Sequence, residues 1–69
     1  MKQAIISALL HDAAAKIELA RVNIKVYLNN SVGVGDHPNI AETIQEQVDI
    51  ISKNRDRINV LTEYFNDED

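Results

Sequence analysis

Between Gln3 and Asn29 the chain contains neither glycine nor proline, and its apolar residues fall into two stripes rather than one. Ile6, Leu10, Ala13, Ile17, Ala20, Ile24 and Tyr27 follow one another in alternating steps of four and three. That spacing is a heptad seam, which packs a helix lengthwise against another helix. Ile5, Ala8, Ala15, Leu19, Val22 and Val26 form the second stripe, broken by Asp12. At ~100° of rotation per residue the stripes lie about 160° apart. Polar residues fill the flanks, with Ser7, His11, Glu18, Arg21 and Lys25 on one side and Lys2, Lys16 and Asn23 on the other. A surface helix needs a single apolar face. This one has two, nearly opposed, so its fold must cover both sides.

The chain itself can supply cover for one. A second helix is expected over residues 38–65, with Ile40, Ala41, Ile44, Val48, Ile51, Ile58, Leu61 and Phe65 as its apolar positions and Ile50 and Tyr64 widening the stripe. Glu42, Glu46, Asp49, Ser52, Lys53, Asp56, Asn59 and Glu63 make a wet back. Gln47 and Asn54 enter the seam of this helix, where polar residues can set register and oligomer state at a cost in stability. Asp49 and Lys53 are ordered for a four-residue helical ion pair. Residues 66–69, Asn-Asp-Glu-Asp, form an acidic tail.

Residues 30–37 separate the helix expected over 3–29 from the second one and hold both glycines. Glycines before a helix can cradle a phosphate, but that arrangement needs a preceding strand, and here a helix precedes. The segment also lacks a Gly-Lys-Ser/Thr ending. Gly33 and Gly35 therefore read as a corner that ends the first helix and reverses the chain. His37 precedes proline and is biased away from helical geometry, while Pro38 suits the first helical turn. Asp36 or Asn39 can accept free backbone amides, and Asn39 with Glu42 resembles a capping box.

The expected fold is all-α, an antiparallel two-helix hairpin forming a single domain over residues 1–69. Its register sets Ile24 near Ile44, Ala20 near Val48, Ile17 near Ile51 and Leu10 near Ile58. Ala13 falls opposite Asn54 and Arg55, and Tyr64 and Phe65 close the open end over Ile6. One hairpin covers one stripe. The strip from Ile5 through Val26 is the expected oligomer interface, and two hairpins closing into a four-helix bundle homodimer, or a higher oligomer, would bury it. A docking groove on a larger assembly would serve the same need.

Composition points the same way. Below ~70–80 residues a lone core rarely supplies more than ~3–5 kcal/mol, so small proteins add disulfides, metals or subunits. This chain of 69 residues has no cysteine and two histidines placed far apart. His11 with Asp12 and Asp36 with His37 are its only histidine–carboxylate neighbours. Ser7, Ser31 and Ser52 have no triad around them. No catalytic residue, metal site or cofactor is expected, and the protein reads as a non-enzyme. Eleven acids against seven bases give a net charge of −4, which disfavours nucleic acid and anionic membranes as partners. The competing reading is a nucleic-acid-associated regulator in which Lys53, Arg55 and Arg57 of several subunits align.

The first sixteen residues, MKQAIISALLHDAAAK, carry a lysine, an apolar run and an alanine triplet, a loose imitation of a secretory signal. Cleavage after Ala15 would halve a helix whose periodicity continues to Tyr27, so a mature helix is expected instead. No segment reaches the ~20 apolar residues that span a bilayer.

The segment VYLNNSVGVGDHPNIAETIQEQVDII resembles short helical proteins encoded by tailed bacteriophages, particularly phages of marine bacteria. In those, a corner of the form Val-Gly-x-Gly-Asp/Glu-His-Pro joins a long first helix to an acidic second one, and Val32 to Pro38 carries that pattern here. The resemblance implies a hairpin fold and a phage origin, hence a place in the host cytoplasm or the virion, and implies no reaction. The expected function is that of a small interaction or structural accessory protein. It associates with itself and takes a host or viral protein as a further partner.

Overall fold

A computed structural model describes residues 1–29 and 39–65, and all of these except Met1 and Asn39 are helical. Helix α1 spans Lys2–Asn29 and helix α2 spans Ile40–Phe65. The α1 carbonyl ladder begins with the Ile5 amide donating to Met1 at 3.1 Å, and α2 begins with the Thr43 amide donating to the Asn39 carbonyl at 3.0 Å. The Thr43 hydroxyl donates to the same carbonyl at 3.2 Å. The start of α2 is thus satisfied through the Asn39 backbone, and the reciprocal side-chain bonds of an Asn39–Glu42 capping box do not form among the described residues. Gly33, Gly35, Asp36, His37 and Pro38, on which the corner was expected, lie outside the described residues, as does the acidic tail.

The two helices pack against each other along their length. Leu9, early in α1, shares a cleft with Val60 and Leu61, late in α2, while Asn23 donates to the Gln47 side-chain carbonyl at 3.1 Å. The pairing is therefore antiparallel. The resulting rod measures 52 × 15 × 13 Å and has a radius of gyration of 15.8 Å, against ~11 Å for a globular chain of this length.

All seven residues of the expected α1 seam turn inward: Ala13 and Ala20 are buried, and Ile6, Leu10, Ile17, Ile24 and Tyr27 are half-buried. On α2 the inward set is Ile40, Ile44, Gln47, Ile51, Asn54, Ile58 and Leu61, with Thr43 beside it. These, too, advance by alternating fours and threes. Val48 and Ala41, expected in the seam, are exposed, and Gln47 rather than Val48 stands with Ala20. The reason is periodic. The positions seven and fourteen residues beyond Val48 are Arg55 and Thr62, whereas those beyond Gln47 are Asn54 and Leu61. Turning Gln47 and Asn54 inward avoids burying a guanidinium, which would need a charged partner within the seam, and none of the seven α1 seam residues is charged.

Tyr64 and Phe65 also depart from expectation. They are exposed rather than folded over Ile6, and their rings meet each other instead, with centroids 6.4 Å apart and planes inclined by 56°. Tyr64 lies on the flank of α2, and Phe65 is its last residue, at a level where α1 has only just begun. Asp49 and Lys53 do not form the expected ion pair. The helical pairs present are Asp12–Lys16 at 2.9 Å and Glu18–Arg21 at 3.0 Å. An exposed pair of this kind contributes only ~0.3–0.5 kcal/mol net, because most of its Coulomb gain is offset by holding two long side chains still.

Asn54 is the one buried polar side chain among the described residues, at 2% exposure. Its amide nitrogen donates to the Ile50 carbonyl at 2.8 Å, which leaves its Oδ1 facing the seam without a partner. A buried acceptor left unmatched costs ~1–3 kcal/mol, against ~1 kcal/mol gained from the bond that the amide makes. Replacing Asn54 by the similarly shaped leucine is therefore expected to raise stability by about 1 kcal/mol. Ala20→Leu, which forces volume between closely set helices, is expected to lower it by about 1–3 kcal/mol. Thermal melts at matched protein concentration read both, with roughly 4–8 °C per kcal/mol for a domain of this size.

Candidate interaction surface

The seam buries little. Ala13 and Ala20 are the only buried apolar residues among those described, and no large side chain is fully enclosed. Total accessible surface is 5379 Å² for a mass of 7.7 kDa, where a globular monomer of that mass exposes ~4,300 Å². The surplus of about 1,000 Å² compares with the ~800 Å² that each partner loses in an ordinary stable interface.

Part of the exposed apolar surface lies on the second stripe of α1, with Leu28 of α1 and Val48, Ile50, Val60, Tyr64 and Phe65 of α2 exposed elsewhere. Ile5, Ala8, Ala15, Leu19, Val22 and Val26 are all exposed, Leu19 by 65%. Asp12, which breaks the stripe, is held by Lys16 one turn on, so the interruption is a neutralised pair rather than a bare charge. Leu9, at the edge of the stripe, is exposed too. The periodicity did not mark it, because it belongs to neither four-three series; only its position one residue before the seam placed it on the flank.

Other candidate chemistry does not converge. The His11 Nδ1–H donates to the Ser7 carbonyl at 2.8 Å, with the Ser7 hydroxyl 3.3 Å from the same nitrogen. The imidazole is thus spent on its own helix and lies on an exposed face. Among the described residues no three histidine or carboxylate side chains cluster as a metal site would require. No described helix is long and apolar enough to cross a membrane. Lys53, Arg55 and Arg57 are exposed; Lys53 and Arg57, four residues apart, share one face of α2, and Arg55 points about 160° away from it.

Comparison with protein-family models, curated proteins and solved structures finds no match to this chain.

Because only two of the three bases share a face and acids outnumber bases in the chain by eleven to seven, duplex DNA is expected to show no retention by the protein even at about 50 mM salt, where phosphate contacts are strongest. An electrophoretic or fluorescence titration at that salt checks this. Binding that fades steeply as salt rises would instead favour the nucleic-acid reading.

Proposed function

We propose that this protein is a non-enzymatic interaction or structural accessory protein of phage origin that acts through self-association. Two hairpins close into a four-helix bundle homodimer, or more copies into a higher oligomer, with the outer stripe of α1 at the interface. A host or viral protein is the further partner of that assembly, in the host cytoplasm or on the virion. One observation carries the reading: an apolar strip from Ile5 to Val26, interrupted at Asp12, stands in solvent, while the only fully buried apolar side chains among the described residues are two alanines. Each Val, Leu or Ile withdrawn from water contributes ~1.5–3 kcal/mol before ordering costs, so covering Leu19, Val22 and Val26, each about half exposed or more, would add several kcal/mol to what the hairpin seam supplies.

The mass in solution tests it. Light scattering or sedimentation on the wild-type chain is expected to return at least twice the chain mass at micromolar concentration. Leu19→Asp and Val22→Asp are expected to shift that species toward monomer while circular dichroism retains much of the helical signal. A wild-type chain that stays monomeric up to millimolar concentration overturns the reading.

A further inference from the structure

Gln47 and Asn54 turn inward one heptad apart, and only one of them is matched. Gln47 lies with Ala20 at the edge of the seam, and its side-chain oxygen accepts a hydrogen bond from the Asn23 amide at 3.1 Å. One heptad back along α1 and one heptad forward along α2 are a single displacement along an antiparallel rod. It carries Ala20 to Ala13, Asn23 to Lys16 and Gln47 to Asn54. Ala13 and Ala20 are both buried, so the helices approach closely in both layers. Lys16 therefore stands to Asn54 as Asn23 stands to Gln47. Yet the Asn54 Oδ1 is enclosed without a donor, while the Lys16 Nζ lies 2.9 Å from the Asp12 Oδ2 at the surface of α1. Reach is not the obstacle, because lysine outreaches asparagine by more than asparagine falls short of glutamine. Asp12 also has a second base at hand. It borders a cleft with Arg57 of α2, and Arg57 makes no ion pair among the described residues.

We infer that Lys16 is a latch with two seats. In one it holds Asp12 on its own helix; in the other it donates to the Asn54 Oδ1 across the seam, and Asp12 passes to Arg57. The exchange turns an ion pair confined to α1 into two links between α1 and α2. The balance of terms permits it. An exposed helical ion pair holds Lys16 only weakly, whereas a charge-assisted bond to an enclosed acceptor removes the penalty of leaving that acceptor unmatched. Drawing an ammonium part-way out of water opposes the move. That cost is limited here, because Lys16 already borders the cleft where Ala20 and Gln47 meet and only its tip has to turn inward. Asp12 interrupts the outer stripe of α1, so the seat that Lys16 takes also decides whether the carboxylate there is tied to its own helix or to α2. The latch belongs to the single hairpin and does not depend on self-association.

Denaturant unfolding at one fixed protein concentration tests the latch through a double-mutant cycle of Lys16→Met and Asn54→Leu. With Asp12→Ala in place Lys16 is released, and the cycle is expected to show a coupling of about fivefold or more in the unfolding equilibrium constant. With Asp12 present the coupling is expected to be smaller by at least about twofold. A coupling below about twofold after Asp12→Ala overturns the inference. Equal coupling with and without Asp12 overturns it too, since the lysine is then not shared. If Arg57→Met couples to Asn54 and Lys16→Met does not, the donor is another base and the inference falls. The side-chain amide resonances of Asn54 report the bond directly. They are expected to move on Asp12→Ala and to return when Lys16→Met is added, and resonances that stay in place count against the latch. Lys16→Gln recreates the Asn–Gln pair of the neighbouring layer with the roles reversed. It is expected to exceed Lys16→Met in unfolding constant by about fivefold with Asn54 present and to match it within about twofold after Asn54→Leu. Equal differences in the two backgrounds place position 16 out of reach of Asn54 and end the proposal.

Discussion

The fold rests on how closely α1 and α2 approach, and that approach is set by alanine. Ala13 and Ala20 sit at every second layer of the α1 seam and are the layers buried most completely. Opposite a residue with one methyl group a neighbouring helix can come near enough to accommodate an amide-bearing side chain, and α2 presents Gln47 and Asn54 in its corresponding positions. The isoleucines on either side, Ile17 and Ile24 on α1 and Ile44, Ile51 and Ile58 on α2, are half-buried. They flank these tight layers rather than filling a wide core. Small faces polar and large faces large along the rod, and the unmatched Asn54 Oδ1 marks the layer where that accommodation is least complete.

From this geometry comes the character of the outer surface. A seam whose tightest layers are alanine and whose larger side chains are only half covered withdraws limited apolar area, and Ile5, Leu19, Val22 and Val26 of α1 are left on the outside. On the proposed assembly the hairpin is half of a core, its inner seam holding two helices in line and its outer residues offering further hydrophobic area to cover. The same geometry accounts for the lack of converging metal-ligating side chains among the described residues: a two-helix rod has little interior in which to arrange them.

Much of this was readable from residue spacing. The α1 seam emerged whole because Ile6 through Tyr27 repeat without a break, and both helix spans follow from the uninterrupted runs on either side of the glycines. The α2 seam was harder. Hydrophobicity favours Val48 over Gln47, and only the demand that the same stripe avoid Arg55 one heptad later selects the polar residue. The outer strip of α1 was legible as a pattern, but the meeting of Leu9 with Val60 and of Leu19 with Ile50 at the edges of two clefts was not. Such pairs share no periodicity, and they come together only when the packing of the two helices decides which flanks face the same way. Tyr64 and Phe65 illustrate a related limit: aromatic residues suggest a cap, yet a helix end with little chain opposite it gives them nothing to cover.

The thinness of the alanine seam has a consequence for how such a chain would behave in a cell. On the proposed assembly, part of the stabilising free energy is released only when copies meet, so folding and encounter are linked and each depends on dosage. At low expression the hairpin would spend more time open and within reach of proteases. Once synthesis passes the level at which copies find one another, it would persist. Abundance would then act as its own switch, with sparse molecules cleared and plentiful ones retained.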